Sequence, residues 1–421
     1  MLRRTSLLLL PCLCLPFAVS AQTNQQLTGT TRIRTEPDGR IFANDVPVFP
    51  IGFTQGPAAG ASTPEGVNGM EKLRREGFTF QQWQCPPKAW GPEREAQLDA
   101  LLAEANKHGM HLVAAIADLQ HLMPTDTEKI AELNRVLKKY RDNPALILWK
   151  GEDEPQWGKV PIEKLRLFRD TVHKLDPNHP VWITQAPRGT AADLEPYSEF
   201  FDVGAIDIYP VSYPPGTHSG TDNKDLSVVG DYTNLIRKAM DYKKPAMMTL
   251  QICWSGVIKP GKTLRFPTFA EERYMSYQAI IDGAHALLYF GGNIPACQNE
   301  RDQAYGWNWT FYDRVLQPVL DELNPGSPLY PALIAPASKL AIQSDGGPAL
   351  EYTVREAGNY IYVLAARREG ETVEVNFSGL PAGITDGEVL YESPRHVKLT
   401  DGKFTDWFGP HDVHVYRFRR P

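Results

Sequence analysis

The chain has 421 residues, of which 42% are hydrophobic and 22% are charged. This composition is that of a globular protein and excludes disordered, collagen-like and coiled-coil chains. The formal net charge is −6, and the sequence has no basic stripe, so we expect no nucleic-acid partner. Because one α/β barrel can occupy about 250 residues, we expect one large domain with a small companion.

The first 21 residues have the pattern of a secretory signal peptide. Arg3 and Arg4 form a positive start, residues 7–19 an apolar stretch, and residues 19–21 a small-residue cleavage site. Cleavage after residue 21 removes both arginines and leaves a net charge of −8. No later stretch reaches the roughly 18 apolar residues of a transmembrane helix. We therefore expect a secreted or periplasmic protein without a membrane span.

Cleavage also removes two of the five cysteines and leaves Cys85, Cys253 and Cys297. Three cysteines cannot form a disulfide framework, and at most one bridge is possible. Because no CxxC or Cys-His spacing is present, we expect small buried thiols rather than metal ligands or nucleophiles. The sequence leaves open whether Cys253 and Cys297 pair.

Short apolar runs alternate with segments of helical period through most of the chain. We predict eight strands, at residues 48–53, 78–83, 112–117, 146–149, 181–184, 203–208, 246–250 and 286–290. The helices predicted between and after them lie at residues 66–75, 93–108, 127–140, 162–175, 226–242, 269–281 and 313–323. This alternation predicts an α/β fold, a (β/α)8 TIM barrel. An open doubly wound sheet is the alternative, but no GxGxxG turn follows the first strand.

From about residue 334 the pattern changes to short alternating runs divided by Gly, Asp and Pro. Such runs predict a C-terminal antiparallel β-sandwich of about 85 residues. We expect three units: a signal peptide at 1–21, a catalytic barrel with an N-terminal hairpin at 22–333, and the β-sandwich domain at 334–421.

Polar side chains follow most of the predicted strands, at the face where (β/α)8 barrels place their reactive groups. They are Gln84 after strand two, Asp118 after strand three, Glu152, Asp153 and Glu154 after strand four, Asp207 and Tyr209 after strand six, and Gln251 and Trp254 after strand seven. Asp118 and His121 have no HxH or HExxH spacing, so we expect no metal site and no cofactor.

The strongest signal is the segment 149–155, Trp-Lys-Gly-Glu-Asp-Glu-Pro. Its three consecutive carboxylates repel one another, which raises the pKa of a carboxyl toward that of a working acid. A solvated acidic loop is the alternative interpretation. The position of the segment at the end of a barrel strand favours a catalytic role.

This segment resembles the strand-four signature of clan A glycoside hydrolases, which are retaining (β/α)8 enzymes with a Trp followed by Asn-Glu-Pro. Trp149 and Glu154 fall at the matching spacing, and Asp153 replaces the family's Asn. The likeness extends in outline to residues 207–210, 283–290 and the trailing β-domain. The resemblance implies a glycosidase that cleaves an oligo- or polysaccharide, with Glu154 as its general acid.

The strand-seven position departs from this family, whose nucleophilic Glu is replaced here by Gln251. An amide cannot form a glycosyl ester, so double displacement between two carboxyls about 5 Å apart lacks its nucleophile. One alternative is an inverting enzyme in which Asp207, Asp118 or Glu152 activates a water. A second is substrate assistance, because the Asp153–Glu154 pair resembles that of β-hexosaminidases, where the Asp orients a 2-acetamido group.

A third alternative is a non-catalytic glycan-binding barrel. A polysaccharide lyase is less favoured, since no Tyr/His/Arg constellation for proton abstraction is evident. In each of the alternatives that bind a sugar, we expect the site to have aromatic walls, supplied by Trp254 and Trp307. The polar residues expected to contact the carbohydrate are Gln251, Tyr209, Gln84, Asp118 and Glu152.

Overall fold

The computed structural model describes residues 26–83 and 89–421. The predicted signal peptide, Gln84 and Cys85 lie outside these residues. Within the two described ranges, no helix is both long and apolar enough to cross a bilayer.

Eight parallel strands form a closed barrel, which confirms the predicted (β/α)8 fold. They are β1 (Ile51–Phe53), β2 (Phe80–Trp83), β3 (His111–Ala114), β4 (Leu146–Asp153), β5 (Val181–Gln185), β6 (Val203–Asp207), β7 (Ala246–Gln251) and β8 (Ala286–Phe290). The ring closes where β8 pairs with β1, with Leu287 beside Ile51.

Helices follow the strands around the outside of the barrel. They are α1 (Gly69–Arg75), α2 (Pro92–His108), α3 (Thr127–Tyr140), α4 (Ile162–Leu175), α5 (Ala191–Leu194), α6 (Val228–Ala239) and α7 (Phe269–Ile281), and then, after β8, α8 (Glu300–Tyr305), α9 (Trp309–Phe311), α10 (Gln317–Leu323) and α11 (Tyr330–Leu333). Local sequence explains several boundaries. Thr268 and Glu271 form a capping box at the start of α7, and Gly109 ends α2 at φ 71°.

The strands are buried on both faces, since helices cover the outside and side chains fill the lumen. Large apolar residues, among them Phe80, Trp182 and Met247, occupy the lumen near its N-terminal end. Side chains two residues further along a strand point the same way, and at the C-terminal end those positions are polar, as in Thr184 and Thr249. The same alternation that builds the core therefore produces a polar mouth.

A small antiparallel sheet of strands Ile33–Thr35, Ile41–Ala43 and Val46–Val48 covers the N-terminal end of the barrel. Ile33 and Ile41 pack in one cluster with the apolar lumen residues. The backbone N–H of Ile33 also donates to the carbonyl of Asn178 at 2.9 Å. This end of the barrel is therefore closed by the chain's own N-terminal segment.

Two antiparallel sheets follow the barrel, as predicted. Their strands are β9 (Gln343–Ser344), β10 (Leu350–Ala357), β11 (Tyr360–Arg367), β12 (Val373–Ser378), β13 (Asp386–Leu390), β14 (His396–Lys398), β15 (Phe404–Phe408) and β16 (Val413–Arg419). One sheet has the order β9-β12-β15 and the other β10-β11-β16-β13-β14. The domain contacts the barrel at α7, where the Arg273 guanidinium donates to the carbonyl of Val413 at 2.9 Å.

Candidate active site

Strand β4 is longer than predicted, because it continues past Trp149 to Asp153. Its register with β5 shifts by one residue: Lys150 pairs with Trp182, whereas Asp153 pairs with Thr184. Such a bulge places one extra residue in β4. Lys150 and Asp153 therefore both face the lumen although they are three positions apart in the sequence.

The residue after the strand turns toward the same space. Glu154 has a φ of 48°, a left-handed conformation that is rare for residues other than glycine. Consecutive side chains of a regular strand point to opposite faces. The bulge and this turn together bring the carboxyl groups of Asp153 and Glu154 to one cavity.

This cavity, the central cavity, lies at the C-terminal mouth of the barrel and has a volume of about 210 Å³. Its lining combines carboxyl, amide, hydroxyl and aromatic groups from several strands. The lining residues are Thr54, Gln82, Asp153, Glu154, Thr184, Asp207, Tyr209, His218, Thr249, Trp254, Leu288 and Phe290. Three carboxyl groups thus face one small polar space.

The first of these carboxylates has a buried cation beneath it. Lys150 is 3% exposed, and its Nζ lies 2.9 Å from Oδ1 of Asp153 and 3.3 Å from the carbonyl oxygen of Glu152. The Nζ also lies 5.1 Å from the centre of the Trp182 ring. A buried ammonium needs such a partner, so Lys150 fixes Asp153 at the floor of the mouth.

The second carboxyl, Glu154, is suited to hold a proton. Its burial, and then the negative charge of Asp153, raise the pKa of Glu154, against the opposing effect of Lys150 and Arg188. A carboxyl with a raised pKa stays protonated at higher pH and can act as a general acid.

The third carboxyl, Asp207, ends β6 and is almost fully enclosed. Burial raises the pKa of Asp207 well above its usual range, and the nearby charges of Glu154 and Asp153 raise it further. Its Oδ1 atom has no hydrogen-bond partner within the described residues. The raised pKa favours the protonated form of Asp207, and its unpartnered Oδ1 atom lies at the central cavity.

Stacked rings form one wall of the central cavity. Tyr209 lies between His218 and Phe290, with ring centroids 4.4 and 5.0 Å away and interplanar angles of 16°. Trp254 lies beside His218 with a centroid distance of 4.7 Å. Such a wall fits the C–H face of a sugar ring.

His218 also adds polarity that the sequence analysis missed. Burial, and then the charges of Arg188 and Lys262, lower the pKa of His218 to about 3, so its ring is neutral. Its Nδ1 accepts a hydrogen bond from the Tyr209 N–H at 3.2 Å. The proton is therefore on Nε2, which lies 3.8 Å from Oδ2 of Asp207.

Two expected sugar contacts lie away from the central cavity. The side-chain amide of Gln251 accepts from the N–H of Val211 and donates to its carbonyl, both at 2.8 Å. Trp307 is fully buried against Phe53 and Trp309. Both side chains are held in packing roles, and their placement does not support the expected contact with a sugar.

Asp118 and Glu152 are likewise engaged elsewhere. Asp118 accepts hydrogen bonds from Lys129 Nζ and from the Trp90 N–H, both at 2.7 Å. These bonds outweigh the effect of burial and lower the pKa of Asp118. Glu152 pairs with His121 and accepts from the Asp153 N–H. Neither side chain lines the central cavity.

The structure also identifies polar lining residues that the sequence analysis did not select, namely His218, Thr54, Gln82, Thr184 and Thr249, and it places Lys150 beside Asp153. A signal existed for some of them. Thr184 and Thr249 each lie two residues after a large apolar residue that fills the lumen, so period-two counting predicts that they face the mouth. His218 lies in a loop without periodicity, and no such rule selects it.

One group of carboxylate and imidazole side chains in the described residues is close enough to share a metal ion, namely Asp225, Glu369 and His411. It lies between the loop after β6 and the C-terminal domain, and none of its members lines the central cavity. The chemistry of the central cavity is therefore described by its own carboxyl, amide and hydroxyl groups.

Comparison with known proteins shows similarity in structure. No protein-family model and no curated protein matches the sequence. A glycoside hydrolase family 5 structure from Bacteroides vulgatus ATCC 8482 is 14% identical with a TM-score of 0.60, over 92% of this chain and 93% of that chain. Another structure, described as a glycoside hydrolase, is 13% identical with a TM-score of 0.58, over 92% and 97%.

The α-amylase of Geobacillus thermoleovorans, solved with acarbose, is 13% identical with a TM-score of 0.56, over 92% of this chain and 99% of that chain. At these identities the likeness concerns the fold. The chain therefore has a (β/α)8-barrel fold similar to that of these solved structures, followed by an antiparallel β domain.

Proposed function

We propose that the protein is a secreted glycosidase in which Glu154 is the general acid. One observation carries the proposal: the carboxyl groups of Asp153, Glu154 and Asp207 line one aromatic-walled cavity at the C-terminal mouth of the barrel. Glycoside hydrolysis requires a carboxyl group that protonates the leaving oxygen and a second group that assists attack on the anomeric carbon.

The raised pKa of Glu154 keeps its proton available for transfer to the glycosidic oxygen as the bond to the anomeric carbon breaks. Asp207, whose raised pKa favours its protonated form, donates a hydrogen bond to the bound sugar. Asp153, held by Lys150, is the carboxylate positioned to orient a neighbouring group.

Of the three carboxylates considered as an inverting base, only Asp207 lines the central cavity, and its raised pKa favours the protonated form, which cannot accept a proton from water. This favours substrate assistance. The carbonyl oxygen of a 2-acetamido group attacks the anomeric carbon while Asp153 orients the amide. This attack closes a ring between the acetamido oxygen and the anomeric carbon. Water then attacks the anomeric carbon, opens that ring and returns a proton to Glu154.

The test compares wild type with Glu154→Gln and, as a matched control, Glu163→Gln on the exposed first turn of α4. Each is incubated with aryl glycosides and natural glycans, with and without a 2-acetamido group, and released sugar is measured. We expect Glu154→Gln to lose about 10²–10⁴-fold in rate on poor leaving groups, and Glu163→Gln to keep it. Wild-type activity in Glu154→Gln contradicts the proposal.

The acetamido comparison decides between the two mechanisms. Hydrolysis restricted to 2-acetamido sugars, with retained anomeric configuration, supports substrate assistance. Equal hydrolysis of sugars that lack the 2-acetamido group, with inverted anomeric configuration, supports the inverting mechanism instead. NMR of the released sugar measures the configuration.

A second candidate function is glycan binding without catalysis. It is favoured by Gln251, because strand seven presents no carboxylate to the central cavity and this amide is bonded to the backbone of Val211. Calorimetric binding of a glycan that wild type does not hydrolyse supports this candidate. Turnover that Glu154→Gln abolishes excludes it.

A further inference from the structure

Two cysteines lie on the loops that leave the neighbouring strands β7 and β8. Cys253 follows β7 by two residues, and Cys297 ends a short 3-10 turn, Pro295–Cys297, after β8. Both are free and almost completely buried, with exposures of 0% and 4%.

The packing of the two loops brings these thiols together. β7 and β8 run parallel with Gln251 beside Phe290, and the Cys253 thiol donates to the carbonyl of Gly291 at 3.3 Å. The loop after β8 then folds back on itself, since the amide of Gln298 donates to the carbonyl of Gly292 at 3.0 Å.

This fold-back places Cys297 beside Cys253, close enough for each thiol to shift the pKa of the other. Neither sulfur is a ligand in the metal-capable group of the described residues, and neither lines the central cavity. The mechanism proposed above does not use them.

We propose that Cys253 and Cys297 are an oxidisable pair that forms a disulfide, joining the β7 loop to the loop after β8. The residue after Cys253 is Trp254, which lines the central cavity. A covalent link at Cys253 therefore restrains an aromatic wall of the proposed sugar site.

The chemistry with hydrogen peroxide as oxidant is as follows. The neighbouring Cys253 thiol lowers the pKa of Cys297, so Cys297 is the attacking thiolate. Its sulfur forms an S–O bond as the O–O bond of peroxide breaks, giving a sulfenic acid and hydroxide. The sulfur of Cys253 then attacks the sulfenic sulfur, the S–S bond forms, and water leaves. In sum, two thiols and one peroxide give one disulfide and two waters.

The experiment uses the full chain in two samples, one reduced and one treated with hydrogen peroxide. Each is unfolded in guanidinium with iodoacetamide, digested and analysed by mass spectrometry. We expect the reduced sample to be alkylated at Cys253 and Cys297, and the oxidised sample to contain a peptide in which the two are cross-linked. Alkylation of both cysteines after peroxide treatment overturns the proposal, as does separate oxidation of each.

A variant tests the order of events. In Cys253→Ser the sulfenic acid of Cys297 has no partner, so dimedone, a reagent for sulfenic acids, should label Cys297 in this variant and not in wild type. We also expect oxidised wild type to melt about 3 °C or more above the reduced protein, and Cys253→Ser to show no such difference. These readouts need no glycosidase substrate, so their failure leaves the proposed function untouched.

Discussion

The backbone angle of Glu154 is a residue-scale feature with a chemical effect. Its φ of 48° turns the side chain into a cavity that also holds Asp153 and Asp207, where burial and then the negative charge of Asp153 raise its pKa. The motif in the sequence predicts the carboxyl group, but the bulge and the turn that aim it are not encoded in any short pattern.

A pH profile tests the protonation state of Glu154. Because its pKa is raised, the proton is present at low pH and is lost as pH rises through that pKa. Activity on a poor leaving group should therefore fall on the alkaline side. An aryl glycoside whose leaving group needs no proton should keep its kcat/KM over the same range. Identical alkaline limbs for both substrates would count against Glu154 as the acid.

A second residue-scale prediction concerns stability. Glu272 on α7 is 0% exposed, neither carboxyl oxygen has a hydrogen-bond partner in the described part of the chain, and burial raises its pKa well above the usual range. Keeping this group protonated costs folding free energy once pH exceeds the pKa of the unfolded chain. We expect Glu272→Gln to stabilise the protein by about 0.5–2 kcal/mol at neutral pH.

The check is thermal unfolding of Glu272→Gln and wild type at several pH values. The difference in Tm should be small at pH 4, where the group is neutral in both states, and should grow toward pH 8. Glu163→Gln, at an exposed position, should show no such growth. A Tm difference that does not change with pH would contradict the explanation.

At the scale of elements, one side-chain amide at the end of strand β7 is bonded to the loop that follows β6. Gln251 satisfies both the N–H and the carbonyl of Val211, and the side chain is 0% exposed. Gln251→Ala leaves two buried backbone groups unpaired, which we expect to cost about 2–4 kcal/mol. Denaturant unfolding measures this loss of unfolding free energy. Thr268→Ala, which removes a helix cap at a cost of about 1 kcal/mol, is the reference variant. A cost below that of Thr268→Ala would show that water replaces the amide.

The sequence predicted strand bounds correctly where the strand is a continuous apolar run, and it failed where a charged residue interrupts the run. The apolar run of β8 gave its bounds, 286–290, without error. The run of β4 ended at Trp149 because Lys150 is charged, yet the strand continues to Asp153. A lysine in a barrel lumen is stable only beside its partner carboxylate, and that pairing depends on a bulge that period-two counting does not anticipate.

The candidate site also contains residues that local sequence predicts correctly and residues that it does not. Chain position after the predicted strands, together with the resemblance of segment 149–155 for the first two, selected Glu154, Asp153, Asp207, Tyr209 and Trp254, which all line the central cavity. Trp307 was selected because it follows β8, but its burial depends on rings distant in sequence, such as Phe53. Contacts of that kind follow from the three-dimensional packing and not from local pattern.

At the scale of the whole molecule, one buried ion pair lies where the barrel meets the C-terminal domain. Arg273 on α7 binds Glu322 on α10 at 2.9 Å and also reaches the carbonyl of Val413 on β16. The hydroxyl of Tyr277 donates to the same carboxylate at 2.7 Å. The pair thus connects two helices of the barrel to a strand of the sandwich.

We expect Arg273→Met to destabilise the protein by about 3–5 kcal/mol, because Glu322 is left as an uncompensated buried charge. The double variant with Glu322→Leu should recover most of the loss, since it removes that charge. Calorimetry measures the stabilities of the single and double variants. In the same measurement, wild type should unfold in one transition in which both domains melt together. Equal destabilisation in the single and double variants would rule out charge burial as the cause.

The sheet that closes the N-terminal end of the barrel has a consequence for biosynthesis. Ile33 and Ile41 leave the ribosome first, but Met247 and Leu288, which belong to the same apolar cluster, follow more than 200 residues later. At about 5–20 residues per second, these isoleucines wait on the order of 10–40 s for their packing partners. This early segment is thus among the last to dock, and we expect its apolar side chains to stay exposed to solvent until then.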